Sequence, residues 1–157
     1  MIDLKSQLCR CSLAQLMKTA AEIGAEEANA EFYKALESGS PERMAEIWLH
    51  EEWVRCVHPG WDMVMGWKGV SDTWEKIFDE GPNMRVAPTS VIATVLGDTV
   101  LVTCVENITV FQEASFDSMQ AVASNFFVKR GERWLLVHHH ASPVPLIMPD
   151  NTVDTIQ

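Results

Sequence analysis

At 157 residues and 47% hydrophobic content, the chain has material for one domain with a core of its own and not for two comfortable ones. Its net charge of −10, from 22 acidic against 12 basic residues, argues against the Lys- and Arg-rich footprint that nucleic-acid binding needs. No apolar run approaches the roughly 20 residues that span a bilayer, and no signal-peptide core opens the chain, which predicts a cytoplasmic protein without a membrane partner.

Residues 1–11 carry Leu4 and Leu8 at helical spacing but are otherwise polar, and read as a flexible arm. Ser12 to Gln15 has the form of a capping box, and Leu13, Leu16, Ala20, Ile23, Phe32 and Leu36 keep a helical rhythm. The spacing predicts a helix over about 12–37, single or broken near Gly24. Ser38-Gly39 stops it, and Ser40-Pro41-Glu42 starts a second helix whose buried stripe is Met44, Ile47 and Trp48. Trp53 to His58 alternates as a half-buried strand and ends at Pro59-Gly60. Gly66 and Gly69 bracket a turn, after which Val70, Trp74, Ile77 and Phe78 mark a short helix closed by Gly81-Pro82.

From there the period changes to two, over Asn83–Leu96, Thr99–Phe111, Met119–Lys129 and Arg133–Ala141. Gly97-Asp98 and Arg130-Gly131-Glu132 are short enough for hairpins, and 112–118 reads as a longer loop. Helices first and a four-stranded meander afterwards is an α+β arrangement, a sheet with helices on one face and a pocket at the open end of the wedge. Cys56 and Cys104 fall inside apolar runs and point to a reduced compartment, whereas Cys9-Arg10-Cys11 is a lone pair with no second pair to complete a zinc site.

Several polar residues stand where apolar ones are expected. Glu106 interrupts the phase of Val100, Val102, Cys104, Ile108 and Val110: it is either a buried carboxylate with a raised pKa or a rim residue lifted into water. Asn125 shares a phase with Ala121, Ala123 and Phe127, and a buried amide needs partners. His58 closes its strand as a candidate general base or as a histidine bonded to a loop carbonyl. Trp61, Trp67 and Trp74 are core or pocket wall, and Tyr33, the only tyrosine, is a pocket hydroxyl or a surface one.

The segment WLLVHHHASPVP, Trp134 to Pro145, places Trp134, Leu136, His138 and His140 on one face and Leu135, Val137, His139 and Ala141 on the other. Its histidines are metal-binding, pocket-lining or hydrogen-bonded at a sheet end. His138 and His140 with His58 and Glu106 would make a metal site, but no metal motif is present, and no metal or cofactor is expected. A nucleophile elbow is absent too, and Ser142 before Pro143 reads as a turn residue.

The order EFYKALESGSPERMAEIW, VRCVHPGW, GWKGVSDTWEKIF and FFVKRGERWLLVHHHASPVP resembles the SnoaL-like branch of the nuclear transport factor 2 superfamily over about residues 25 to 145. The resemblance implies a cone-shaped, cystatin-like α+β fold, N-terminal helices packed on a curved antiparallel sheet, dimeric through the sheet's outer face. It sets the domain at 12–148, with 149–157 a disordered tail. The ending is also similar to the association (hub) domain of calcium/calmodulin-dependent protein kinase, where His138 and His140 match two family histidines and His139 an aromatic position. That similarity puts Glu106 and Asn125 at or near inward arginines of the hub, which speaks against an anionic ligand.

Similarity to ketosteroid isomerase in the helix-helix-strand start sets His58 on its general-base aspartate and Phe32 on its oxyanion-hole tyrosine, with the second acid near Ser124 or Asn125. Isomerisation is therefore not carried over. The combined expectation is a homodimer binding a small, partly apolar ligand. In it His58 or Glu106 is catalytic base of a cofactor-free isomerisation or cyclisation. Tyr33, Trp61, Trp67, Trp74, Asn125, His138 and His140 hold the ligand, with His138, His140 and Asn125 on the developing oxyanion. The alternative is a non-enzymatic dimerisation or hub-like interaction module.

Overall fold

Thr19 and Glu22 set the first helix. The Thr19 hydroxyl accepts from the Glu22 amide and the Glu22 carboxylate from the Thr19 amide, a reciprocal cap that starts α1 (Ala20–Ser38). The computed structural model describes residues 17–81 and 83–145. The expected arm over 1–11, the cap at Ser12, the Cys9-Cys11 pair and the tail over 149–157 lie outside them. Residues 17–19 are not helical, so α1 does not run in continuously from residue 12. Its buried line is Ala25, Asn29, Phe32, Tyr33 and Ala35, and Ile23, expected in the stripe, is 46% exposed.

α1 passes unbroken through Gly24, and the glycine has a packing reason. A Cβ there would stand 2.6 Å from Trp134 Nε1 and 2.8 Å from Cδ1, so the missing side chain lets the helix close on the last strand. Gly24→Ala gains about 1 kcal/mol of helix propensity but overpacks the indole by about 1–3 kcal/mol. A net loss of up to about 2 kcal/mol, read by urea unfolding together with a shifted tryptophan emission, is the expected result.

Ser40 accepts from the Arg43 amide and starts α2 (Pro41–Ile47), as its N-cap sequence predicts. Trp48 then turns inward beside Leu136, both almost fully buried. Two short strands follow, β1 (Arg55–Val57) and β2 (Val64–Met65), before α3 (Trp67–Asp79). The predicted turn closes already at Gly66, the N-cap of α3, and Gly69 lies inside the helix against Val64. Val70 and Trp74 are buried on α3, with Ile77 and Phe78 half-buried behind them.

The meander consists of β3 (Asn83–Leu96), β4 (Thr99–Phe111), β5 (Phe116–Arg130) and β6 (Arg133–Pro143). β5 begins three residues earlier than its sequence pattern predicts, because a Gln112 amide to Ser115 carbonyl bond makes the β4–β5 turn tight. β1 adds to β6 in parallel, pairing Arg55 with His138 and Val57 with His140, and β2 extends β1 antiparallel. The sheet is therefore mixed, in the order β2-β1-β6-β5-β4-β3. Two register shifts bend it: one in β3 between Thr89 and Ile92, where Ser90 has φ 53°, and one between Phe126 and Phe127 against β6. The three helices gather on one face, and Phe32, Met44, Trp48, Val102, Phe127 and Leu136 fill the space between. No helix among the described residues is long and apolar enough to cross a membrane.

Candidate functional site

β4 keeps unbroken alternation, so Val100, Val102, Cys104 and Glu106 all face the helices. Glu106 is 3% exposed. Its Oε1 accepts a 2.8 Å bond from Tyr33 Oη, which α1 presents from the opposite wall and which also lies 3.1 Å from Cys104 Sγ. Burial pushes the Glu106 carboxyl up to about 7, against the Tyr33 bond that favours the ionised form. The same burial and the neighbouring carboxylate raise the Tyr33 phenol, which stays protonated and donating.

Glu106 stands in the wall of a cavity of about 220 Å³ between α1, α3 and the sheet. Its other polar side chains are His58 and His139, and the remaining wall is apolar, with Trp61, Trp74, Ile77 and Ile108 prominent. His58 follows β1 and is 3% exposed. Its Nε2 lies 2.9 Å from Thr73 Oγ1, and that hydroxyl already gives its hydrogen to the Val70 carbonyl at 2.7 Å. Nε2 is therefore the protonated nitrogen and Nδ1 carries the lone pair. Desolvation pulls the ring down to about 4, so it is neutral at physiological pH. Trp74 stands edge-on at 4.4 Å between ring centroids, and Trp61 at 5.2 Å.

The histidine triplet differs from its expected arrangement. The register shift leaves Val137 as an extra residue, because Phe127 pairs with Leu136 and Phe126 already with His138. Every later side chain changes face. His139 points inward, 3% exposed, and lines the cavity, whereas His138 and His140 lie on the outer face beside Phe126. The expectation that His138 and His140 reach the cavity and His139 faces outward is thus reversed. The same flip sets His138 and His140 across the sheet from His58 and Glu106, so that four-residue set does not assemble.

Asn125 is fully buried behind the wall, where it organises other groups. Its Nδ2 donates to Asn29 Oδ1 at 2.7 Å and lies 3.5 Å from Tyr33 Oη, while its Oδ1 accepts from His139 Nδ1 at 2.7 Å. Hence His139 keeps its hydrogen on Nδ1 and presents a bare Nε2. Its burial and the neighbouring His58 hold its pKa down at about 3. Glu106, Tyr33, Asn125 and His139 form one hydrogen-bonded line that begins and ends in the cavity wall.

Of the expected ligand-binding residues, Trp61 sits at the mouth, 40% exposed, and Trp74 forms the buried wall. Tyr33 and Asn125 support that wall from behind. Trp67 lies elsewhere, stacked on His50 at 4.2 Å and 4° on the α2 side. Asn29, Thr73 and the inward role of His139 escape sequence reasoning. A polar residue in the helical line of Ala25 and Phe32 is the signal that marks Asn29.

The SnoaL-like domain family matches residues 25–147. A candidate dehydratase of the NTF2-like family from Streptomyces avermitilis superposes with a TM-score of 0.74 at 34% identity, covering 80% of this chain and 96% of that one. A candidate calcium/calmodulin-dependent protein kinase type II association domain from Thiobacillus denitrificans gives a TM-score of 0.67 at 27% identity, over 76% of this chain and 94% of that one. F-box protein SKIP8 from Arabidopsis thaliana is 26% identical over 114 residues, 73% of this chain and 47% of that protein. The chain thus spans about half the length of the curated relative it matches.

Proposed function

The chain belongs to the SnoaL-like domain family, and from that premise we propose that its cavity binds a small, largely apolar molecule with which Glu106 exchanges a proton without a cofactor. The observation that carries this reading is a carboxyl 3% exposed, in the wall of an apolar cavity, with its pKa lifted to about 7. A base works best when its pKa lies near the working pH. Proton removal next to a carbonyl is the shared first step of isomerisation, cyclisation and loss of water, and the similarity to a candidate dehydratase fits the last. His58, neutral above pH 5, is the second acid–base group. Asn125 and Tyr33 position His139 and Glu106 instead of touching the ligand. At about 220 Å³ the cavity is below the roughly 300–1,000 Å³ of drug-sized sites, which limits the ligand to about one ring.

The test is hydrogen–deuterium exchange of monocyclic ketones, with and without an amino substituent, followed by NMR in deuterated water. As a base Glu106 must be ionised, so catalysed exchange should rise with pH to a plateau above about 7 and disappear as pH falls through that value. Exchange at the uncatalysed rate for the whole panel, or a rate flat from pH 5 to 8, would overturn the reading.

Self-association is the second reading, favoured by the apolar outer face of the sheet, where Ile92 is 61%, Leu96 50% and Val122 48% exposed. Exposed apolar patches of this kind mark interaction surfaces, and the similarity to an association domain agrees. A homodimer through this face predicts that Val122→Lys lowers the mass in sedimentation equilibrium to the monomer's while leaving the circular dichroism spectrum intact. An unchanged mass in that variant speaks against this face as the interface.

A further inference from the structure

We infer that the ligand of this cavity is a small apolar organic cation, whose protonated amine sits against Glu106. The inference rests on the reading of the cavity as a ligand site but not on any turnover there. The hydrogen-bond directions point to it first. Tyr33 spends its hydroxyl hydrogen on Glu106 Oε1, His58 spends its Nε2 hydrogen on Thr73, and His139 spends its Nδ1 hydrogen on Asn125. What these groups have left is lone pairs: the second Glu106 oxygen and His139 Nε2, with His58 Nδ1 also 3.9 Å from the Cys56 thiol. Among the described residues, the unpartnered donor of this wall is the buried Trp74 Nε1. Beside Glu106 and His139 a ligand's carbonyl or carboxylate meets acceptors and its N–H groups meet partners, while the Trp74 indole N–H leaves one donor for a carbonyl oxygen elsewhere on the same ligand.

Charge selects among donors. No Lys, Arg, hydroxyl or amide side chain lines the cavity, and Glu106 has no ion-pair partner among the described residues. A carboxylate in such a place is costly unless an opposite charge comes with it. An ammonium group brings that charge, and a neutral alcohol does not. The walls also suit a cation. Trp74 lies in the wall as an aromatic group, while the Trp61 ring at the mouth is already covered by Lys76 Nζ at 5.5 Å, so the cation's place is the inner wall beside Glu106. The chain's net charge of −10 draws cations toward it.

The experiment compares benzylamine, benzyl alcohol, benzoate and toluene, which share one ring and differ in charge and donors. Affinities are measured by calorimetry at pH 7.5 on the full chain, and the Glu106 carboxyl is followed by NMR with 13C-labelled glutamate. Benzylamine should bind about 10-fold or more tighter than benzyl alcohol, with benzoate weakest, and should lower the apparent Glu106 pKa by about one unit, the same free energy read as protons. In Glu106→Gln the amine should fall to the alcohol's affinity while toluene binds as before, which shows that the cavity persists. Benzyl alcohol binding as tightly as benzylamine, or benzoate binding best, overturns the inference and leaves the ligand-site reading standing. If none of the four binds, both fail.

Discussion

Glu106→Gln should make the protein more stable at pH 8 while removing proton transfer. The carboxyl moves from 4.5 to about 7, a difference of 7 − 4.5 = 2.5 units. At about 1.4 kcal/mol per unit, that corresponds to about 3 kcal/mol. The sign follows from proton binding. Between pH 4.5 and 7 the native state holds a proton that the unfolded state has lost, so stability falls as pH rises through this window. Above it the wild type carries the full cost of a buried carboxylate, and the glutamine variant carries none.

The introduced glutamine would still accept from Tyr33, but its amide hydrogens need partners, which trims the expected gain to about 2–3 kcal/mol. Urea midpoints at pH 8 should favour the variant, and the difference should vanish near pH 4.5. A difference that stays constant across pH would show that packing, not charge burial, separates the two proteins. Proton exchange should drop by about 10²–10⁴-fold, the usual contribution of a general base. A gain in stability with a loss of activity at one residue is what a strained functional group predicts, and a purely structural carboxyl does not.

Local signals are the legible ones. Ser40-Pro41 caps its helix where the residues say it should, and Gly97-Asp98 makes the hairpin it spells. On β4 the alternation is unbroken, so the inward direction of Glu106 can be read by counting in twos. On β6 the same counting fails, because Val137 is an extra residue and nothing in WLLVHHHASPVP marks it. A bulge is a property of two strands together, so one strand's pattern does not show it. The outcome is an inverted triplet, with His139 inside and His138 and His140 outside. Trp67 departs from its expected place for a related reason. Nearness in sequence to Trp61 and Trp74 groups the three, but a stack on His50, contributed by the segment after α2, decides where its ring lies. Asn29 and Asn125 bond each other across 96 positions of chain, a pairing that only the closed fold brings about.

Acid should unfold this protein through the two inward histidines, more steeply once Glu106 is gone. His58 and His139 are held at about 4 and about 3 against an ordinary 6.5. Between pH 6.5 and 4.5 the unfolded chain therefore binds two protons that the native state refuses, and stability falls with falling pH. Glu106 acts in the opposite sense over the same window, because the native state keeps its proton there. Counting these three buried groups, two against one leaves a net slope of about 1.4 kcal/mol per pH unit, or about 3 kcal/mol across the window, and the half-buried His138, lowered mainly by desolvation, adds in the same direction. In Glu106→Gln the opposing group is missing, so the slope doubles and the loss becomes about 5 kcal/mol.

The two curves then meet near pH 4.5, as the stability difference at pH 8 requires. Against a total of about 5–15 kcal/mol, a loss of that size removes the variant's whole advantage and leaves both proteins with the same margin near pH 4.5. Adding His58→Phe to the variant should return the slope to about half, since one of the two refusing groups is gone. The rings lie 6.4 Å apart and repel when charged, so the remaining histidine titrates somewhat higher in that background. A Glu106→Gln protein whose stability is flat between pH 6.5 and 4.5 would mean that both rings take protons in the folded state. The cavity would then be wetter and more open than its walls imply, and His139 would no longer be tied to Asn125 alone.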